Sequence, residues 1–314
     1  HNISLSGGGD KSVYFFSFNY FDQQGTLINT YLKRYSARIN TRFSLLDDKL
    51  KVGENVFIFY KQNPGYLNLP GVNNANSIGA SSREPGIIPV YDIKGNFAGT
   101  GSQDLGNSPQ PVAIQARQAN NTNNDWQMNG NVYAELTVAK HLTARSSIGG
   151  TVDNYYYNGF IFTAYENAEN AQNPNSYLEN YGWNSSYTWT NTLNYTNSFA
   201  DRHHLTALVG SEYINNNSRS VRASRGSYYI TDPSNVSVDP NLWTLNFGSP
   251  GSQSNGNGLT NIPGNSQQTP YQLAIFSLFG MVDYNFDEKY YLSGTLRRDG
   301  ASVFDPANRF GYFT

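Results

Sequence analysis

The chain has 314 residues, with 21 Lys and Arg against 23 Asp and Glu and a net charge of −2. That balance excludes the basic footprint of a nucleic-acid-binding domain, and the absence of cysteine excludes disulfides and thiolate metal sites. Charged residues are 14% of the chain, against roughly 25% in globular proteins, while aromatics are 15%. Mean hydropathy is nevertheless −0.56, because Asn, Ser, Thr and Gly are abundant. A chain that is polar without charge and aromatic without being oily has the profile of a transmembrane β-barrel, whose strands show one face to lipid and the other to water. No apolar run reaches the length of about 18 residues that a membrane helix needs. The chain begins at His1 with no signal segment, which points to an interior piece of a longer protein.

Strands are expected at 2–8, 12–21, 32–46 and 50–61. In the third, Tyr35, Ala37, Ile39, Thr41, Phe43 and Leu45 alternate with Arg34, Ser36, Arg38, Asn40, Arg42 and Ser44. Period two sends these sets to opposite faces. Three arginines facing hydrocarbon cost about 2–4 kcal/mol each near the midplane, so Arg34, Arg38 and Arg42 belong to a wet lumen. There they either guide anionic ligands or pair with carboxylates of a plug. Further strands are expected at 126–139, where Glu135 is lumenal, and at 142–156. The clearest alternation is 182–199, with Trp183, Trp189 and Phe199 on the apolar side and Asn, Ser or Thr at every even position from Asn184 to Ser198. Strands at 204–215, 271–286 and 289–299 follow, and an eleventh begins near Phe310. Tyr284 joins the lipid-facing girdle, whereas Arg297 faces the lumen. Short connections at 8–11, 46–49, 139–141, 200–203 and 286–289 alternate with long ones at 22–31, 62–125, 157–181, 216–270 and 300–309, in which no convincing helix is legible. This is the grammar of an outer-membrane up-and-down barrel, with tight periplasmic turns and long extracellular loops.

Chemistry-bearing clusters are sparse. His203 and His204 adjoin in a turn and lack a third ligand at metal spacing. Glu135, Glu212 and Asp283 read as lumen-lining carboxylates rather than a glycosidase pair. No catalytic residues, metal site or cofactor is expected. Ligand-binding candidates are the aromatics Tyr156, Tyr157, Tyr228, Tyr229 and Trp243, assigned to extracellular loops, where rings stack on sugars or on a partner; packing among themselves is the competing expectation.

The stretch "SLFGMVDYNFDEKYYLSGTLRRDGASVF" followed by "NRFGYF", together with "HNISLSGGGDKSVYFFSFNYFDQQGTL" and "KRYSARIN" near the start, resembles the barrel signature of SusC/RagA-type TonB-dependent outer-membrane transporters. Met281 departs from it, standing where the family often carries Arg or another polar residue. The resemblance implies a 22-stranded barrel of which this chain supplies ten or eleven strands, with the plug, TonB box and C-terminal strands elsewhere. It implies an integral outer-membrane protein in contact with lipid and lipopolysaccharide, a SusD-like surface lipoprotein as partner, TonB–ExbB–ExbD as energy source, and import of an oligosaccharide or peptide. A passive porin and a soluble β-rich carbohydrate-binding protein are the alternatives.

Overall fold

The computed structural model describes residues 1–64, 77–101, 105–106, 108–167, 175–228, 243–248 and 270–314. Eleven strands form one antiparallel sheet in chain order: β1 (Asn2–Gly9), β2 (Ser12–Gln24), β3 (Tyr31–Leu45), β4 (Leu50–Asn63), β5 (Thr122–Ala139), β6 (Leu142–Ile161), β7 (Ser176–Phe199), β8 (His203–Gly226), β9 (Tyr271–Phe286), β10 (Tyr290–Ala301) and β11 (Phe310–Phe313). β1 and β11 stand at the two ends of the order. No helix among the described residues is long and apolar enough to cross a membrane.

In such a meander every second connection lies at the same pole. The short turns 10–11, 46–49, 140–141, 200–202 and 287–289 share one pole, and the long excursions share the other, as the alternation in the sequence requires. The short turns bend sharply. Asp47 and Asp48, Ala200 and Asp201, and Asp287 and Glu288 all have φ between 48° and 64°, the left-handed conformation of tight hairpins. Two turns are tied together. Arg202 donates from Nε and Nη2 to the Asp287 carboxylate, each at 3.1 Å, and these bonds hold that carboxyl below its usual range.

The strand pairing explains the sheet's shape. One apolar-face row runs Tyr14, Thr41, Glu54, Val132, Ile148, Trp189, Tyr213, Phe276, Gly300. It starts two residues into β2 and ends ten residues into β10, a drift of eight residues over eight strand steps. A stagger of one residue per strand, with a rise of about 3.3 Å and a strand spacing of about 4.8 Å, corresponds to a tilt of roughly 35°, as in outer-membrane barrels.

The apolar face closes on nothing. Leu292 is 71% exposed and Val209 59%, and the buried apolar residues of the described chain lie in the loops and strand ends at the long-loop pole. An apolar face of this extent needs a nonpolar medium. Its height is set by aromatic and leucine pairs ten residues apart: Tyr35 and Leu45, Leu50 and Tyr60, Trp126 and Leu136, Trp189 and Phe199, His203 and Tyr213, Phe276 and Phe286. Ten residues at that tilt climb about 25 Å, the height of the apolar band. The outer girdle is continuous across four strands, with ring centroids 4.9 Å apart for Tyr20–Tyr35, 6.4 Å for Tyr35–Tyr60 and 4.8 Å for Tyr60–Trp126. At the other pole His203 Nδ1 lies 2.6 Å from the Tyr284 hydroxyl, and its ring packs on Phe286.

Glu54 interrupts this face. It sits between Thr41 and Val132, four residues above Leu50, inside the apolar band. A carboxyl group there is held at the expense of stability. Glu54→Val raises the unfolding free energy of the complete protein in lipid vesicles by roughly 1–2 kcal/mol in urea titration.

Four expectations from the sequence need correction. β8 continues to Gly226, so 216–226 is strand rather than loop, and β7 begins at Ser176. β6 runs to Ile161, which puts Tyr156 and Tyr157 on a strand and not in a loop. The connection 62–125 holds two short helices, α1 (Ser77–Ser81) and α2 (Pro111–Arg117). Above the apolar band both strand faces meet polar surroundings, so the sequence loses the alternation that marks a strand lower down.

Candidate functional site: the polar face and the outer mouth

The polar face is wired across strands by side chains from alternate positions. Arg297 on β10 donates to Glu212 of β8 at 2.8 Å, to Ser277 of β9 at 2.9 Å and to Asp299 at 2.7 Å. Thr190 of β7 donates to the other Glu212 oxygen at 3.3 Å. Ser277 is fully buried beneath this network. Glu135 sits between two cations, with Arg145 at 3.1 Å and Lys51 at 3.9 Å, and the Arg145 guanidinium lies 4.3 Å from the centre of the Tyr133 ring. Lys61 holds Asp125 at 2.7 Å, and Asn184 donates to Asp153 at 3.0 Å. Arg34, Arg38 and Arg42 share the same face on β3. Arg34 lies over Phe21 and Arg38 over Phe57, at 5.8 and 5.3 Å from the ring centres. Arg298 takes the opposite phase and stacks on Phe310 and Tyr312 of the neighbouring strand.

At the long-loop pole, loops and strand ends build two small cores. In the first, Arg117 at the end of α2 forms a two-pronged ion pair with Glu166, at 2.6 and 2.9 Å, with side chains only 10% and 2% exposed. The guanidinium also lies over the Phe97 and Tyr165 rings. The Tyr165 hydroxyl accepts from the Phe97 amide, and Asn29 of the β2–β3 loop donates to the Gln115 carbonyl. Three separate excursions thereby meet in one lobe.

In the second core Phe160, Tyr177, Tyr228 and Trp243 pack together, with Phe162 and Leu245 against them. Asn175 clamps it by accepting from the Tyr228 amide and donating to the Tyr228 carbonyl. Burial pushes the Tyr228 hydroxyl up to about 12 and raises Tyr177 as well, the latter helped by its bond to Glu179.

The sequence-derived candidates separate accordingly. Tyr228 and Trp243 are buried in the aromatic core. Tyr156 stands beside that core on the outward phase of β6, while Tyr157 takes the polar phase in one row with Asn180 and Arg222. The Tyr157 hydroxyl is shielded from solvent, and burial raises its pKa. Tyr229 lies outside the described residues. Trp189, Phe199 and Tyr284 lie on the apolar face within the band; Trp183 shares their phase six residues further out. Sequence reading missed Arg117 and Glu166, because nothing local links positions 49 residues apart. No group of three or more His, Asp or Glu able to hold a metal occurs among the described residues.

No family model matches the chain. Curated relatives do. TonB-dependent receptor P26 of Formosa agariphila is 26% identical over 99% of the chain and 29% of its own length. TonB-dependent receptor SusC of Bacteroides thetaiotaomicron is 22% identical over 100% of the chain and 30% of its own length. The chain thus spans under a third of these relatives. Among solved structures, the RagAB peptide transporter superposes with a TM-score of 0.73 at 24% identity, covering 99% of this chain and 32% of that one. A second RagAB structure, in the "open-open" state, gives 0.72 at 25%.

Proposed function

Because the chain is a stretch of the outer-membrane barrel of a SusC-type TonB-dependent transporter, we propose that the complete protein actively imports a nutrient, an oligosaccharide or a peptide, across that membrane. The barrel wall continues from the edges of β1 and β11 into strands outside this sequence. The observation that carries the reading is the division of labour between the two sheet faces. One face has a 25 Å apolar band with aromatic borders, by the estimate of rise and tilt. The other carries charge networks spanning four strands. Such a wall conducts and binds.

A SusD-like surface lipoprotein as partner is supported by the likeness to SusC and to RagAB. Its contact would fall on the lobe and the aromatic core at the long-loop pole. Tyr156 and Tyr157, at the top of β6, would meet the cargo or that partner, whereas Tyr228 and Trp243 would act through the shape of the rim. The test is uptake of labelled oligosaccharides and peptides by cells carrying the complete protein, with and without TonB. Uptake is expected to fall to background without TonB; uptake that persists there identifies a passive pore instead.

A further inference from the structure

A contiguous polar row crosses the apolar face. Ser146 of β6 stands opposite Asn191 of β7, and Asn191 opposite Ser211 of β8, all three in the phase of Trp189, Leu193 and Val209. The row lies one pleat below Trp189 and Tyr213, the aromatic border on β7 and β8, and so about 5 Å into the band. Trp189 donates from Nε1 to the Ser146 hydroxyl at 3.0 Å, which leaves that hydroxyl its own proton to give. Among the described residues the side chains of Asn191 and Ser211 hold no hydrogen bond. Each of β6, β7 and β8 has a strand of this sheet on either side, so no strand outside this sequence borders the row. Whatever fills the lumen meets the opposite face.

An amide facing hydrocarbon is tolerated only where its surroundings bond to it. On this face the surroundings are lipid. Below the row an open groove of about 680 Å³ runs over Ala134 and Ala144 between Leu136, Leu193, Val209 and Leu278. Small side chains make its floor and branched ones its walls, a shape that suits a flexible hydrocarbon chain. The row stands at the outer end of the groove, on the long-loop side. That is the level at which acyl chains of the outer leaflet join their headgroups.

We propose that the row and the groove seat one molecule of lipid A, the acylated disaccharide that anchors lipopolysaccharide in the outer leaflet. An amide-linked acyl chain lies in the groove. Its amide N–H or its chain hydroxyl donates to Asn191 Oδ1, and its carbonyl accepts from Asn191 Nδ2. Ser146 and Ser211 meet the linkages on either side. The chemistry of the asparagine makes the choice, because its side chain both donates and accepts. The ester linkages of a diacyl phospholipid only accept, and they leave the Asn191 carbonyl without a donor. The row spans three strands, about 10 Å, which is room for three chain linkages side by side rather than two. The inference goes beyond the transport reading and rests only on the lipid-facing sheet.

The test uses the complete protein in detergent micelles, titrated with lipid A, phosphatidylglycerol or phosphatidylcholine and read by native mass spectrometry. Phosphatidylglycerol controls for charge, since its acyl linkages are esters only. Lipid A is expected to bind about ten times tighter than either phospholipid. Asn191→Leu should cut its affinity about tenfold, the loss of two hydrogen bonds. The triple change Ser146→Ala, Asn191→Leu and Ser211→Ala should abolish the preference. Thr41→Val, which removes a hydroxyl from the same face on β3, leaves it in place. Urea midpoints separate a lipid site from a structural role. In phosphatidylcholine vesicles Asn191→Leu is expected to raise the midpoint, because nothing there donates to the amide. With lipid A in the vesicles that gain should vanish or reverse. Equal affinity for the three lipids, or a triple variant that keeps the preference, overturns the proposal. So does a lower midpoint for Asn191→Leu in phosphatidylcholine, because the amide then serves the strand itself. A change of oligomeric state in Asn191→Leu with lipid A binding intact also overturns it, and gives the row to a protein neighbour. Uptake independent of TonB brings down the transport reading and leaves the lipid site standing.

Discussion

Leu193→Arg lowers the unfolding free energy of the complete protein in lipid vesicles by about 2–4 kcal/mol, whereas Asn194→Arg, one residue away, changes it by less than about 1 kcal/mol. Leu193 lies on the apolar face between Ala144 and Val209, six residues above Phe199 and so roughly 15 Å into the band. An arginine there has no water and no carboxylate within reach. Asn194 faces the other way, between Thr143 and Leu208, where a long cation extends into solvent. The measurement is a pair of urea titrations followed by tryptophan fluorescence. Equal losses for the two variants would mean that the faces do not meet different media, and the barrel reading would fail with them.

Glu166→Gln opens the loop lobe at a cost of about 3–5 kcal/mol, the usual consequence of stranding one member of a buried ion pair. The effect is local. Hydrogen exchange should quicken across α2 and residues 162–167, while the amides of β5 to β9 within the band keep their protection. Arg117 is the stranded group, enclosed by Phe97 and Tyr165, and among the described residues no other carboxylate forms an ion pair with it. The double variant Arg117→Met, Glu166→Leu should restore most of the protection, since apolar groups of similar size suit those rings. A lobe that stays closed in Glu166→Gln would show that the Phe97–Tyr165 packing, not the ion pair, keeps it together.

How much of this could be read from the sequence depended on the medium around each residue. Within the band, β7 declares itself from Trp183 to Phe199, because lipid on one side and water on the other force strict alternation. The same strand from Ser176 to Tyr181, and β8 from Asn216 to Gly226, escaped notice. Both faces there are polar or covered by loops, so period two carries little contrast. The short turns were legible because few sequences tolerate two successive left-handed residues, and Asp recurs there. Among the candidate site residues, the phase of Arg34, Arg38, Arg42, Glu135 and Arg297 followed from parity alone. Their partners did not: that Arg297 is satisfied by Glu212 while Arg38 rests on a phenyl ring depends on strand register. Tyr228 and Trp243 were visible as aromatics, yet nothing in their neighbourhood told a ring that packs inward from one that waits for cargo.

The two 24-residue strands β7 and β8 rise thirteen residues past Trp189 at their common end, roughly 30 Å beyond the membrane boundary. Their ladder is unbroken from Ser176 opposite Gly226 down to Phe199 opposite His203. A hinge needs a few residues able to absorb a large change in backbone angle, and a continuous ladder supplies none. This parapet is therefore stiff: it can sway as a plank but cannot fold over the opening. Any movement at this sector of the rim must come from the loops that lean against it.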